Sequence, residues 1–414
     1  MHGMGFVRIS RVSYLFVFRD KTQEKPNIFI LWRFDMTSKE RHEIRYVRRK
    51  ERRDKKKEAF YKKLPQYEEV FSFGNLYEAF SECKKGVRWK NSIQSYEMKL
   101  PVNISELHEK LMNQTWKTNG FTEFQICERG KMRKIQSVHI SERVLQRCLC
   151  DNYLVPLLSR NLIYDNGASI KGKGTDFAIQ RLKKHLSDHH KKYGNHGYVI
   201  LYDFSNYFGS INHDVLYNIT DKLISDEKIK SLYHQLIDVF GESGLGLGSQ
   251  VNQISAVCFA NRIDHVFKDE LSIHGYGRYM DDGYILCNSL SEVKHCKKRL
   301  YELCDELGIT INSKKIKVCS IKNGFGFLKK RFRLKESGAL VVKLGRKAIF
   351  AAKRRIKKMR NLYDCGKLTF NEAQQSYVCW RMSVIKKYSC YKSVIRMDGY
   401  FNRMFIEPFA KNGY

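Results

Sequence analysis

Tyr279-Met280-Asp281-Asp282 sets two adjacent carboxylates between an apolar-aromatic pair and the run Gly283-Tyr284-Ile285-Leu286. The pattern predicts a β-hairpin with an acidic tip. Successive strand residues point to opposite faces, so a regular strand cannot aim both acids one way, whereas a tip can give them different roles. Two acids at a tight turn repel each other unless a cation neutralises them, and Mg²⁺ favours one or two carboxylates together with substrate phosphates. A third acid ends the β-branched, apolar run Tyr198-Val199-Ile200-Leu201-Tyr202-Asp203, which reads as a buried strand emerging at an edge. Asp203 and Asp281 can hold two metals about 4 Å apart, the arrangement used for in-line phosphoryl displacement. The plainer alternative is a turn and a strand end, where Asp is common.

The elements that must position these acids belong to a chain of 414 residues, enough for two or three domains. A formal net charge of +33 implies a polyanionic partner, and nucleic acid fits best. No apolar run approaches the roughly 18 residues of a spanning helix, and Tyr14-Leu15-Phe16-Val17-Phe18 is too short for a signal-peptide core, so no membrane partner and a cytoplasmic setting are expected. Twelve scattered cysteines without a CxxC pair read as reduced core thiols rather than zinc ligands.

Residues 1–35 carry no motif, and Met36 reads as an alternative start that leaves them dispensable. Thr37-Ser38-Lys39-Glu40 is a helix start. Residues 38–63 then hold thirteen Lys/Arg against five Asp/Glu, either a solvated helix or a phosphate-tracking arm. Within residues 71–96, Trp89 lies among cations and suits contact with a nucleic-acid backbone or base, unless it is core. Residues 121–136 read as a hairpin with Lys131, Arg133 and Ile135 on one face, two cations suited to gripping a triphosphate. Residues 164–175 (YDNGASIKGKGT) precede a helix and can cradle phosphate, although the full spacing of a P-loop is missing. Asp188-His189-His190 reads as solvated surface rather than a metal cluster. Alternate glycines at 244, 246 and 248 allow close backbone approach, and Gln250 and Gln253 share a helix face. Residues 309–318 read as a strand with a basic corner and residues 323–329 as a turn and short strand; residues 343–359 form a basic helix.

In this order, the acid-ended strand, glycine-glutamine segment, YMDD hairpin, lysine-bearing strand and Phe-Leu turn resemble the palm of a reverse transcriptase, from about residue 71 to residue 332. The SIKGKGT segment and short basic thumb resemble bacterial enzymes of diversity-generating retroelements, retrons, group II introns and anti-phage defence systems. The resemblance implies an α+β right-hand polymerase fold: an extension with a basic helix over 1–65, fingers over 66–197, a palm with some finger elements over 198–335, and a small helical, basic thumb over 336–414. The chain beyond the thumb leaves no room for an endonuclease or RNase H domain, which sets the expectation against a complete mobile-intron protein. Two Mg²⁺ ions, with Mn²⁺ as a substitute, are implied on Asp203, Asp281, Asp282 and the Phe204 carbonyl. Phe208 matches the steric gate against a ribose 2′-hydroxyl. Lys131 and Arg133 match the finger cations, Gln253 the glutamine near the incoming nucleotide, Lys315 the lysine that protonates pyrophosphate, and Phe327-Leu328 the primer grip.

Family members usually carry Pro at the position of Gly246 and Ser at that of Asn252. Gly246 is expected to loosen its loop and Asn252 to bring a larger amide near the nascent base pair. The implied partners are an RNA template, in particular a dedicated non-coding RNA, a DNA primer and dNTPs. The implied function is RNA-templated DNA synthesis in a defence or diversity-generating system. A non-catalytic RNA-binding scaffold and template-independent or protein-primed nucleotide addition are the alternatives.

Overall fold

The computed structural model describes residues 8–9, 13–14, 37–128, 131–385 and 388–406. The chain divides into two units, residues 1–64 and 65–414. In the first, β1 (Arg8–Ile9) pairs with β2 (Ser13–Tyr14). The expectation that residues 1–35 are dispensable otherwise falls outside the described residues. A 24-residue helix, Ser38–Tyr61, follows, and none of its side chains is buried. It starts where the sequence predicts because Thr37 and Glu40 cap each other's backbone N–H reciprocally.

The second unit begins with helices over Phe73–Cys83, Asn91–Met98 and Leu100–Met112, whose inward stripes include Leu76, Phe80, Ile93, Leu107 and Leu111. Trp89, between the first two, is 73% exposed and is not core. A hairpin of β3 (Phe121–Glu128) and β4 (Lys131–Val138) projects next, in register from Phe121↔Val138 to Glu128↔Lys131.

The central sheet combines β5 (Tyr198–Asp203), β6 (Tyr276–Tyr279), β7 (Asp282–Cys287) and β8 (Lys317–Ser320) in the order β6-β7-β5-β8, all antiparallel. β5 lies between two neighbours, and all its residues but the first are buried, as its unbroken apolar run requires. Alternation sends Val199 and Leu201 of β5, with Tyr284 and Leu286 of β7, to one face. There they meet Ile179, Leu182 and Leu186 of the helix Thr175–Tyr193. The same cluster takes in Phe325, Phe327 and Phe332 from a second sheet of β9 (Phe325–Phe327), β10 (Lys330–Leu334) and β11 (Leu340–Leu344). The helix Leu290–Glu306 packs on β5 and β7. Helices Arg346–Asp364, Phe370–Ile385 and Tyr391–Phe405 close the chain around Ile356, Met359, Tyr377, Met397, Phe401 and Phe405.

The architecture is α+β. All twelve cysteines are unpaired; seven are buried core thiols, whereas Cys127, Cys365 and Cys379 are exposed and depart from that expectation. Among the described residues, no helix is long and apolar enough to cross a membrane. His189 departs from the solvated reading: it is 8% exposed, with Nε2 2.7 Å from the His196 carbonyl. It faces inward beside the chain reversal at His196 rather than lying among the neighbouring lysines.

Candidate active site

The register of the central sheet brings the acids together. Asp203, the last residue of β5, is directly opposite Asp282, the first of β7. Directly paired residues share a face, with Cβ atoms about 4.5–5.5 Å apart. Asp281 occupies the two-residue turn from β6 to β7, and its carbonyl accepts the Phe204 N–H at 3.3 Å. Thus Asp282, rather than Asp281, is the strand partner of Asp203. Gly283 is what the next pair requires: a Cβ there would lie 2.1 Å from the Tyr202 ring across the ladder.

Asp203 is 4% exposed. Its carboxylate takes the Lys315 ammonium on Oδ2, and the Asn312 amide lies 3.5 Å from Oδ1. Lys315 is not on a strand, contrary to the sequence expectation. It sits in a turn before β8, with its N–H bonded to the Asn312 carbonyl at 2.9 Å, while Asn312 Oδ1 accepts the Lys314 N–H. Asn-Ser before Lys-Lys was the available turn signal, and Asn312 is the supporting residue that strand periodicity misses. The adjoining segment pairs with the end of β5 through Ser205 N to Thr310 O and Asn312 N to Asp203 O. Phe204 and Ile311 face each other between those bonds, so this ladder makes no demand on the Phe204 carbonyl.

Burial and the Asp203 charge raise the Asp281 carboxyl above the ordinary carboxylate range, and Arg133 offsets part of that rise. Asp282 is pushed up to about 7 by burial, then by Asp281 and Asp203, with which it shares a hydrogen bond. Burial pulls Lys315 down, but its bond to Asp203 outweighs this and leaves it raised. Among the described residues, no group of three or more His, Cys, Asp or Glu is arranged as a preformed metal cage. The donor set nevertheless fits a divalent cation: three mutually repelling carboxyls, one ionising only near neutrality, with a lysine ammonium already on the most buried of them.

A folded-state pKa near 7 makes ionised Asp282 a cost to stability. The cost is fully present above pH 7 and absent below the ordinary carboxylate value near 4. Without metal at pH 8, Asp282→Asn therefore stabilises the protein by roughly 1–3 kcal/mol, allowing for partial exposure. That advantage fades as the pH falls through 7. Melting curves at pH 8 and pH 5.5 test this; an equal advantage at both would assign the effect to something other than this proton.

The other candidates lie on three sides. Arg133 is exposed on β4, and the effect of its charge on Asp281 ties the hairpin electrostatically to the acids. Lys131 is on the same strand opposite Glu128, but its side chain falls outside the described residues. Phe208 is half-buried in the short helix Tyr207–Ser210, and its carbonyl accepts the Leu245 N–H at 2.6 Å. Gln253 is exposed on the helix Gln250–Phe259, whereas the Gln250 amide lies 3.5 Å from Asp151. Phe327 is 6% exposed and packs on Tyr284 with ring centroids 5.1 Å apart, so its side chain is core; Leu328, at the tip of its hairpin, is half-buried. The first part of the 164–175 segment and the Lys173 side chain are engaged within the protein, while Lys171, Gly172 and Thr175 are exposed. Asp165 is buried against Lys268 at 2.6 Å and Arg181, Gly167 N donates to the Arg278 carbonyl, and the Lys173 ammonium bonds the Tyr164 carbonyl.

The two departures from the family pattern touch each other. The Asn252 amide donates to the Gly246 carbonyl at 2.9 Å, and Asn252 has no exposed surface, so it does not reach a nascent pair directly. Gly246 does not loosen the loop either. A Cβ there would lie 2.1 Å from the Phe240 ring and 2.5 Å from Gln136 Oε1. Phe240 stacks on Phe121 of β3 at 5.4 Å, and Gln136 N of β4 donates to Leu247 O. The glycine permits tight docking of the β3–β4 hairpin. Gly246→Ala is expected to cost about 1–3 kcal/mol by overpacking and to expose the hairpin to limited proteolysis. Wild-type melting and cleavage together would show that the contact yields freely.

No curated protein sequence matches this chain. Solved structures that resemble it include an apo telomerase from Candida tropicalis truncated from its C-terminal domain and a telomerase from Candida albicans in complex with a fragment of telomeric RNA. The first is 15% identical with a TM-score of 0.43, covering 58% of this chain and 59% of that one. The second is 10% identical with a TM-score of 0.46, covering 72% and 61%. This chain therefore spans about three fifths of each telomerase chain. Residues 117–365, more than half of the sequence, match the family described as reverse transcriptase (RNA-dependent DNA polymerase). That span contains Asp203, Asp281, Asp282 and Lys315 together with Lys131, Arg133, Phe208, Gln253, Phe327 and Leu328, and the chain belongs to the reverse transcriptase family.

Proposed function

We propose that this protein is an RNA-templated DNA polymerase that adds dNTPs to a primer 3′ end. The observation that carries the reading is the convergence of Asp203, Asp281 and Asp282 through the β5–β7 register and the turn that precedes β7. In this reading residues 66–197 are fingers, 198–335 palm and 336–414 thumb. Asp203, Asp281, Asp282 and the Phe204 carbonyl hold two Mg²⁺ ions, which when bound activate the primer hydroxyl and stabilise the leaving pyrophosphate. Arg133, with Lys131, grips the triphosphate, and the Phe208 ring stands against the sugar. Gln253 faces the incoming nucleotide, and Leu328 and the backbone of Phe327 steady the primer. Lys315 keeps its proton while bonded to Asp203; leaving Asp203 lowers its pKa towards that of a donor to pyrophosphate.

The net charge of +33 supports an RNA–DNA partner. A dedicated non-coding RNA within a bacterial defence or diversity-generating system is the setting we infer from the motif resemblance. The test is extension of oligo(dT) on poly(rA) with dTTP and Mg²⁺. Template-dependent incorporation is expected. Incorporation that ignores the template favours terminal nucleotide addition, and none on any template overturns the reading. Sequencing nucleic acid that co-purifies with the protein identifies the natural template.

A further inference from the structure

Arg278 has no role in the chemistry above, yet it is 1% exposed and lies three residues before Asp281. Its guanidinium forms a fork-to-fork pair with Asp264, from Nε to Oδ1 at 2.7 Å and from Nη2 to Oδ2 at 2.6 Å. Both side chains are fully buried. The remaining donors reach two carbonyls: Nη2 to Val257 at 2.9 Å and Nη1 to Met280 at 3.0 Å. Asp264 also accepts the Tyr276 hydroxyl at 2.6 Å, and the Tyr202 and Tyr276 hydroxyls lie 2.8 Å apart.

Met280 is the first residue of the acidic turn and has φ +57°. Two-residue hairpins favour glycine at that position, and a side chain there costs on the order of 1–3 kcal/mol. Such a conformation persists only where its surroundings over-determine it. Arg278 supplies that constraint from below: one planar group joins the strained turn to helices Gln250–Phe259 and Asn261–His265. Lysine cannot reproduce this set, because an ammonium has no planar fork.

We propose that Arg278, anchored by Asp264, is a positioning residue: it holds the Met280 carbonyl, and through it fixes the turn that presents Asp281 and Asp282. The inference rests on the polymerase reading for its kinetic consequence but not for its structural one. A buried ion pair can often be exchanged for apolar residues of similar volume without loss of stability. Arg278→Met combined with Asp264→Leu therefore separates holding the fold from holding the turn.

The double variant is expected to fold and to melt somewhat below the wild type, because the Val257 and Met280 carbonyls lose a donor. Its kcat for dTTP on poly(rA)·oligo(dT) should fall about 10- to 100-fold with KM within about threefold, because the triphosphate contacts are elsewhere. Hydrogen exchange of a peptide spanning residues 279–283, measured without metal or substrate, should speed up about tenfold or more. Wild-type kcat, or unchanged exchange in this peptide, overturns the proposal. If the double variant does not fold, Arg278→Lys decides by the same two readouts. If the wild type incorporates nothing, the polymerase reading fails and the exchange comparison still decides the role of Arg278.

Discussion

Primer extension falls by at least about 10⁴-fold when Asp281 and Asp282 are both replaced by alanine, a loss of roughly 5–6 kcal/mol of barrier lowering, while the metal-free protein melts no lower than the wild type. The two halves of this expectation come from the same geometry. The acids sit in and beside a two-residue turn, half-buried and within reach of the Asp203 charge. Their raised pKa values mean that the metal-free fold bears their repulsion rather than gaining from it. Side chains kept at a cost to stability serve something else, and binding cations against a triphosphate is the use this arrangement supports. Differential scanning calorimetry and primer extension on one preparation measure both halves. Residual extension above about one part in a hundred would dissociate the carboxylates from the chemistry.

Phe208→Ala should raise the use of rNTPs relative to dNTPs by about 100-fold while leaving the fold intact. The backbone of Phe208 is fixed from two directions: its carbonyl holds Leu245, and the neighbouring Tyr207 is buried with its hydroxyl on the Ala256 carbonyl. Removing a half-buried ring from that frame clears the space it fills without opening the core. Phe208→Tyr keeps a ring and should keep the discrimination. Competition between rUTP and dTTP on poly(rA) gives the ratio directly; an unchanged ratio in the alanine variant moves the gate to another residue.

The acids, the hairpins and the first long helix were legible because each follows a local rule: period-two alternation, turn chemistry and a capping box. Asp203 and Asp282 could be nominated from the sequence, but their direct pairing is a matter of register between strands far apart along the chain. Lys315 was found and its element misassigned, since alternation runs on through residues that Asn312 folds into a turn. The Phe-Leu turn is visible in the sequence, but not that the sheet turns the Phe327 ring into the core. A glycine at 246 suggests freedom in the sequence but is a tight fit in the fold, because the ring that needs the space belongs to Phe240 and the hairpin it serves is more than a hundred residues earlier. Arg278 gave no periodic signal at all; its meaning depends on a carboxylate from a separate helix.

Two hairpin tips share a property with consequences for anyone adapting this protein. Met280 has left-handed backbone, as do Leu328 and Lys329, the two residues joining Phe327 to Lys330. Glycine or asparagine would occupy these positions with less strain. A screen that rewards only survival of heating would drift towards those residues at both tips. It would yield a hardier protein whose acidic turn and 327–330 turn were free to take other shapes. Hardening this protein without loss of function therefore has to begin elsewhere, with the helical surface, and leave its most uncomfortable residues alone.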